Sequence, residues 1–474
     1  MSGTDSHSVA TGDLFEVHCR IVTNRTVSRL LHLAVPIMLT NLLQVAYGLV
    51  DAWFLGRLSA EAVSAPAIAF NVVFFLSVFG MAFSQAGTTL VSQAHGAGRR
   101  REVDFFAAQT VGLVTVTGIV VCVLGLAGIG PLLWLLRVPE AVLGHTRVYM
   151  QIIFAASPFM FFFFVLQGVL QGVGDSVTPL RVQLATVALN AVLDPLFIFG
   201  VGPIPALGVA GAAAATFISR AVSAAAIVMI LLRRRGDVTV RPADLRPDRG
   251  AWRRLLSIGF PLATGQAVAA LGFTVLQGVD NGFGVAVVAA FGIGNRVIGV
   301  FNMPAIGLSR ATAALVGQEL GSGSTEAARR AVRVSVSAML AFIVPAMTIT
   351  FFFGNSVVRF FVDDPEVALH GATLFRIVSV SVVPFTLFTV INGAFQGGGV
   401  TRPIMVLNII RLWGLRVPLA MLLAWRIGLG PDGIWYAMFV SNIVTATVGF
   451  LMLRSGMWLR RIDLDLPGRV AARS

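Results

Sequence analysis

The sequence contains no lysine, and all 35 of its basic residues are arginine. Without lysine, the chain cannot carry the phosphate-binding motif that ends in Gly-Lys-Ser or Gly-Lys-Thr. ATP hydrolysis through such a loop is therefore excluded. Any energy for active work must come from an ion gradient or from a separate subunit.

Charged residues and cysteines are also scarce. Charged side chains make up 12 % of the 474 residues, against 56 % hydrophobic residues. A soluble chain of this length could not cover so much apolar surface with so few charges, which indicates a membrane protein. The two cysteines, Cys19 and Cys122, form neither a disulfide framework nor a metal-binding spacing. The first residues carry no early apolar run, so we expect no cleavable signal peptide.

Long apolar runs separated by short polar links predict an all-α polytopic membrane protein with twelve transmembrane helices, each able to cross about 30 Å of hydrocarbon. The predicted spans are 29–53, 62–88, 105–130, 146–169, 180–201, 208–232, 255–279, 285–311, 331–354, 371–395, 404–427 and 433–455. They divide the chain into an N-terminal tail (1–27), an N-lobe (28–232), a linker (233–254), a C-lobe (255–457) and a C-terminal tail (458–474).

Arginine predicts the orientation of these spans. Of the 35 arginines, 24 lie in or next to the N-terminal tail, the even-numbered links and the C-terminal segment. Arginine-rich links stay in the cytoplasm, so we expect both chain ends to be cytoplasmic in a bacterial plasma (inner) membrane. The net charge of +13 is thus a topology signal, with anionic lipid heads as contacts. Nucleic acid is not an expected partner, because the basic segments are short and lack interleaved aromatic residues.

The two halves of the chain repeat each other at an offset of 225 residues. Matched positions include Arg29-Leu30-Leu31 with Arg254-Leu255-Leu256, Pro36 with Pro261, Gln93 with Gln318, Gly96 with Gly321, and Gly172 with Gly397. Each half has six spans, an even number, so both halves share one orientation. We expect them to be related by an axis along the membrane normal, with the substrate path between them.

Four short runs resemble the multidrug and toxic compound extrusion (MATE) exporters. They are Asp51 to Gly56 (DAWFLG), Gln171 to Asp175 (QGVGD), Leu189 to Phe199 (LNAVLDPLFIF) and Leu315 to Gln318 (LVGQ). The resemblance covers about residues 28 to 457 and looks closest to the prokaryotic branch typified by DNA-damage-inducible protein F. It implies a monomeric secondary antiporter that expels amphipathic or cationic small molecules, uses no cofactor, and alternates access as H+ or Na+ enters. A flippase for lipid-linked sugars or other lipids, from the wider superfamily, is the alternative.

The internal repeat reveals a polarity that only one half carries. Five oxygen-bearing residues of the N-lobe align with residues of the C-lobe that lack this polarity. The aligned pairs are Asp51 with Leu276, Tyr47 with Gly272, Asn190 with Trp413, Asp194 with Val417 and Thr216 with Met438. Positions that serve only packing should be similarly apolar in both halves. The difference therefore needs a functional reason.

The depths of these residues in the membrane are consistent with a single shared site. At about 1.5 Å per residue, Asp51 lies roughly 30 Å and Asp194 roughly 21 Å along two rising helices, and Thr216 lies roughly 12 Å down a descending one. Two carboxylates in low dielectric cannot both stay charged comfortably, so they take up a proton or share a cation. By family resemblance, Asp51, Asn190, Asp194 and Thr216 form the site of H+ or Na+ coupling, with Tyr47 as a further oxygen. Two structural alternatives are an Asp51 helix cap and an Asp194–Arg220 pair.

Five other residues are candidates for a hinge or for the lining of the substrate cavity. Pro36 interrupts the first helix and, by family resemblance, is a hinge that bends when the nearby acid is protonated. Four amides are candidates for the substrate cavity: Gln44, Gln167, Gln277 and Asn392.

Charged residues of the C-lobe are ambiguous. Arg411 and Arg416 fit either anion contact or a lock between lobes, or else snorkelling toward the cytoplasm. Asp280 is interpreted as a solvated loop acid at the end of helix seven. The stretches 265–273 and 383–390 contain no acid, which favours coupling in the N-lobe over coupling in the C-lobe. An enzyme is not expected, because the six histidines are scattered and no hydrolase or metalloprotease motif occurs.

Overall fold

The structure, a computed structural model, describes residues 6–232 and 238–465. In this part of the chain, twelve helices are long and apolar enough to cross a membrane. They are α1 (Ser6–Gly56), α2 (Ala60–Gly96), α3 (Arg100–Ala127), α4 (Glu140–Val173), α5 (Val177–Ile198), α6 (Val209–Leu232), α7 (Arg249–Asn281), α8 (Val285–Gly321), α9 (Thr325–Phe361), α10 (Pro365–Gly397), α11 (Arg402–Arg426) and α12 (Pro431–Arg454). A short helix, Ile129–Leu135, follows α3.

Each of the twelve predicted spans matches one of these helices: seven lie wholly within a helix, and five extend one to three residues beyond one end. Most helices also run further than the apolar run alone indicates. The helix α1 begins at Ser6, within the predicted N-terminal tail. The helix α7 begins at Arg249, within the predicted linker, because the Asp248 side chain accepts a hydrogen bond from the Ala251 backbone N–H and caps its first turn. An apolar run predicts where a helix leaves the hydrocarbon. The helix itself can continue beyond that point until a capping residue ends it.

The helices form two six-helix lobes with the same internal packing. In the N-lobe α4 lies at the centre and packs on α2, α3 and α6, and in the C-lobe α10 packs in the same way on α8, α9 and α12. The pair α1–α5 has its counterpart in α7–α11, and α5–α6 in α11–α12. The predicted pseudo-symmetric fold is confirmed.

Matched glycines allow the central helices to approach their neighbours closely. A Cβ added to Gly172 of α4 would lie 2.9 Å from Val91 Cγ1 of α2. In the C-lobe, a Cβ on Gly397 would lie 2.6 Å from the Ala313 carbonyl oxygen and 2.9 Å from Val316. Such distances leave no room for a methyl group. The glycines repeated in the sequence therefore mark helix crossings.

The lobes meet at the arginine-rich face, the side of the molecule where α1 begins and where α2, α8 and α12 end. Gln93 of α2 donates through Nε2 to the Gly397 carbonyl at 2.9 Å, and Gln318 of α8 donates through Nε2 to the Gly172 carbonyl at 3.0 Å. These two bonds are related by the repeat. Arg29 and Glu319 add an ion pair at 2.7 Å. The molecule is closed at this face.

The segment after α12 crosses from the C-lobe to the N-lobe on the same face. Trp458 is buried, the Ile462 backbone N–H donates to Gln93 Oε1 at 2.7 Å, and Leu464 packs in the N-lobe core. Arg99 forms an ion pair with Asp465 at 2.8 Å. The corresponding segment after α6, described from residue 238 onward, instead bonds α3 of its own lobe. Among the described residues, this crossing between lobes is therefore a feature of the C-terminal segment.

Candidate functional site

Two N-lobe helices bring buried acids together. Asn190 and Asp194 lie one turn apart on the same face of α5, and both are fully buried. Asp51, on the neighbouring helix α1, is 7 % exposed. The packing of α1 on α5 places the carboxyl groups of Asp51 and Asp194 within direct interaction distance of each other.

The polar side chains around the two acids come from three helices. Asn190 donates through Nδ2 to Asp194 Oδ1 at 3.1 Å. Thr216, which is nearly buried on α6, points its hydroxyl toward Asp51 Oδ2 at 3.5 Å. The Tyr47 hydroxyl lies 2.9 Å from the Ser219 hydroxyl. The structure thus brings all five predicted coupling residues into one N-lobe cluster.

Three oxygen atoms of this cluster are buried without a hydrogen-bond partner: Asp51 Oδ1, Asp194 Oδ2 and Asn190 Oδ1. Leaving a buried polar atom unpaired costs about 1–3 kcal/mol, and more for a charged group. A proton on one carboxyl, or a small cation among the oxygens, would remove part of this cost. The arrangement can therefore take up H+ or bind Na+, whose preferred ligands are oxygen atoms.

Arg220 does not neutralise these acids by pairing with them. Its guanidinium lies over the Tyr47 ring, 4.6 Å from the centroid, and Nη2 donates to Gln44 Oε1 at 3.4 Å. Within the described residues it has no carboxylate oxygen within 4.0 Å, so the Asp194–Arg220 pair considered above does not form. Its charge acts on Asp51 from a distance.

The matching positions of the C-lobe are packed with hydrophobic side chains. Leu276 and Val417, which correspond to the two acids, are 5 % and 7 % exposed. The indole N–H of Trp413, in place of the N-lobe asparagine, donates to the Val268 carbonyl at 2.9 Å. A Cβ on Gly272 would lie 3.4 Å from that indole nitrogen. The space that holds oxygen atoms in one lobe holds side-chain carbon in the other.

Comparison with known proteins decides the family. The MatE family profile matches twice, at residues 36–196 and again at residues 261–422. The chain belongs to the MATE family. The two matched segments each cover most of one lobe, which agrees with the repeat. Members of this family are transporters, and the chain is therefore a multi-pass membrane transporter rather than an enzyme.

Several MATE proteins of bacteria are similar along nearly the whole chain. The probable multidrug resistance protein NorM of Thermotoga maritima is 30 % identical over 440 residues, covering 92 % of this chain and 94 % of that protein. The multidrug export protein MepA of Staphylococcus haemolyticus is 24 % identical, covering 90 % and 93 %. An FAD transporter of Shewanella oneidensis is 25 % identical, covering 88 % and 91 %. These bacterial relatives are consistent with the prokaryotic branch that the motifs resemble.

Solved structures confirm the MATE fold. A crystal structure described as MATE in the bent conformation matches with a TM-score of 0.86 at 23 % identity, covering 92 % of this chain and 96 % of that one. An outward-facing multidrug resistance MATE transporter matches with a TM-score of 0.84 at 23 % identity, covering 91 % and 95 %. At this identity the likeness concerns the fold.

Of the four predicted cavity amides of this MATE chain, two line adjoining spaces and two lie elsewhere. Asn392 lines a C-lobe cavity, and Gln167 lines a small polar space between the lobes. Gln44 is exposed and accepts hydrogen bonds from Gln183 and Arg220 beside the coupling cluster. Gln277 is exposed and donates to Asn281 at 3.2 Å. They do not form one surface.

The predicted hinge and two charged residues can also be placed. The helix α1 continues through Pro36, whose carbonyl accepts a hydrogen bond from the Thr40 hydroxyl at 2.7 Å. Asp280 is fully buried with both carboxyl oxygens unpartnered, so its interpretation as a solvated loop acid is wrong. Arg411 is 5 % exposed and does not snorkel to the surface. For Arg411 this decides between the two interpretations left open by the sequence. The Asp280 interpretation failed because position along a predicted helix does not give the direction in which a side chain points.

Sequence reasoning missed two residues of the cluster. Ser219 bonds Tyr47 and lies one turn beyond Thr216, to whose carbonyl its own hydroxyl donates at 3.0 Å. Tyr149 of α4 is buried within electrostatic range of Asp51 and Asp194. The helical spacing of Ser219 from Thr216 was a usable signal. Tyr149 lies on a helix whose approach to α1 and α5 only the fold reveals.

Proposed function

We propose that this MATE transporter is a secondary exporter that exchanges H+ or Na+ for amphipathic or cationic small molecules. The observation that supports the proposal best is the pair of buried acids Asp51 and Asp194, with three unpartnered oxygen atoms in their cluster. Two neighbouring carboxyls in a membrane interior favour uptake of a cation, and a cation that binds in one conformation and leaves in another can drive transport.

The binding sites would open in turn to the two sides of the membrane as the lobes separate and rejoin at the arginine-rich face. In this structure the lobes are joined at that face, and the acid cluster lies deep in the opposite half of the N-lobe. Cation uptake removes charge repulsion between the acids, which favours a repacking of α1 against α5. We infer that this repacking lowers the affinity for substrate on the outer side, with Pro36 as the point where α1 bends.

The arginine pattern and the bacterial relatives support a proposal for the membrane setting of the transporter. We place it as a monomer in a bacterial plasma (inner) membrane with both chain ends in the cytoplasm, in contact with anionic lipid heads. The substrates are small molecules, because relatives that carry the names multidrug resistance and multidrug export protein match almost end to end.

The test is transport of ethidium in proteoliposomes under an imposed pH gradient or an imposed sodium gradient, applied separately. We expect one of the two gradients to drive the wild type, and Asp51→Asn and Asp194→Asn each to abolish that drive. Asp363→Asn is the matched control, because this acid is exposed in the link between α9 and α10. Undiminished gradient-driven transport by both cluster variants would refute the proposal.

A further inference from the structure

The C-lobe contains a cavity with the opposite charge to the N-lobe cluster. It has a volume of about 330 Å³ and lies among α7, α10 and α11, with one wall from α2. Such a volume is within the range of sites for small organic molecules. Its polar lining includes Arg411, Asn392, Asn408, Gln266 and Gln396. In the described chain this lining includes no carboxylate, so the cavity carries a positive charge that nothing inside it balances.

Arg411 has free hydrogen-bond donors in this cavity. Only Nη2 has a partner, Asn408 Oδ1 at 3.3 Å, while Nε and Nη1 are buried without one. The guanidinium lies 4.9 Å from the centre of the Phe385 ring, which holds it in place from one side. A guanidinium presents two parallel N–H groups that match a carboxylate or phosphate. The two unpartnered donors of Arg411, Nε and Nη1, lie on different edges of the guanidinium, so each edge retains a free N–H for an anionic oxygen.

The local backbone differs from that of the matching N-lobe helix. Arg411 lies in a π-helical stretch, Ile410–Arg416, whereas its counterpart α5 is a regular α-helix. Stretches of π-helix are rare and often occur at functional sites. When Pro418 is aligned with Pro195, the residue at the Arg411 position in α5 is Ala188. Packing alone does not require arginine there, because the other lobe uses a methyl group.

The neighbouring arginines increase the positive charge instead of cancelling it. Arg416 is buried and donates through Nε to Ser441 Oγ at 2.9 Å and through Nη2 to Asn442, both uncharged. Arg310 donates to Gln167 at 3.3 Å in a small adjoining space that shares Gln396 with the cavity. In residues 6–232 and 238–465, none of these arginines has a carboxylate oxygen within 4.0 Å.

We propose that the C-lobe cavity is a binding subsite for an anionic group, a carboxylate or phosphate on an amphipathic molecule, with Arg411 as its principal ligand. The asparagine and glutamine amides around it donate further hydrogen bonds, and Phe385 contacts the apolar part of the molecule. As a transport site, this subsite rests on the proposed function above. As a binding site, it stands on the geometry of the cavity.

Two dyes of the same ring system and opposite charge test this proposal: the anion fluorescein and the cation rhodamine 6G. Binding to the purified full chain in phosphatidylcholine nanodiscs is measured by fluorescence anisotropy, without any ion gradient. We expect Arg411→Gln to weaken fluorescein binding about ten- to a hundredfold, the range for a hydrogen bond to a charged group, and to leave rhodamine 6G binding no weaker. Arg411→Lys should restore part of the fluorescein affinity.

Arg376→Gln is the matched control, because this arginine is exposed on α10 and is not part of the cavity lining. It should change neither affinity. Nanodiscs that contain phosphatidylglycerol separate two sources of the anion. Competition with fluorescein supports the anion subsite and assigns it to lipid headgroups, while lack of competition supports it and assigns it to solutes.

The proposal is overturned if fluorescein does not bind, or if Arg411→Gln weakens both dyes equally. Neither result affects the proposed exchange of cation for substrate, which is measured by gradient-driven ethidium transport. Conversely, fluorescein binding that depends on Arg411 in a protein that no gradient drives would support the subsite and refute the exchange. The two failures are therefore distinguishable.

Discussion

The closure at the arginine-rich face depends strongly on one side chain. Gln93 donates to the Gly397 carbonyl at 2.9 Å and to the Arg460 carbonyl at 3.3 Å, and it accepts from the Ile462 N–H at 2.7 Å. All three partners belong to the C-lobe or its C-terminal segment, so these bonds exist only while the lobes are joined. Gln93→Ala removes them together.

The expected shift follows from these three bonds. Each contributes a net of about 0.5–1.5 kcal/mol, so their loss weakens the closed state by about 2–4 kcal/mol. That free energy corresponds to a change of roughly thirty- to a thousandfold in the ratio of open to closed molecules. We therefore expect Gln93→Ala to open this face in a large fraction of molecules while both lobes stay folded.

Labelling of a buried cysteine measures the opening. Ser92 is fully buried at the seam, so Ser92→Cys in a background that lacks Cys19 and Cys122 reports exposure to a polar maleimide. The labelling rate should rise in proportion to the open fraction when Gln93→Ala is added. Gln109→Ala is the control, because Gln109 also makes three side-chain hydrogen bonds to backbone, but to the linker segment 244–248 beside α3. An unchanged rate with Gln93→Ala, or an equal rise with Gln109→Ala, would refute this account of the closure.

Three further predictions concern packing and the two acid sites. Gly397→Ala should lower stability by about 1–3 kcal/mol in a thermal aggregation assay, because its Cβ would lie 2.6 Å from the Ala313 carbonyl, whereas Gly278→Ala, with no atom within 4 Å, should not. Asp280→Asn should leave gradient-driven ethidium transport intact, because no second acid acts on this carboxyl in the described residues; loss of transport would move the coupling site to the C-lobe. Tyr47→Phe, which removes the 2.9 Å contact with Ser219 but keeps the ring, should slow that transport by about two- to tenfold, and an unchanged rate would exclude the hydroxyl from the mechanism.

Much of the fold could be predicted because membrane insertion imposes a simple rule on composition. Twelve apolar runs, the arginine pattern and the repeat at 225 residues were sufficient for the number of helices and the two lobes. Within the candidate site, the comparison of the two halves selected Asp51 and Asp194, since packing alone would treat both halves alike. The structure then brought both acids into one cluster with the amide of Asn190.

The parts that sequence could not predict depend on the direction of side chains and on contacts between distant helices. Asp280 looked like a loop acid by its position, yet α7 turns it inward among buried residues. Arg411 could reach the surface by length alone, but the π-helical turn and the Phe385 ring hold it in the C-lobe cavity. The segment after α12, in which the Ile462 N–H bonds Gln93, has no helical or strand periodicity. Its sequence therefore contains no signal of where it packs.

The most direct test of the coupling site is the number of cations released when rhodamine 6G is added to the purified protein. A pH electrode in weakly buffered, sodium-free solution counts protons, and radioactive sodium counts Na+ in a parallel sample. The account predicts that the wild type releases one of these ions and that the double variant Asp51→Asn, Asp194→Asn releases neither. Equal release from the wild type and the double variant would contradict the assignment of the ion site to these two acids.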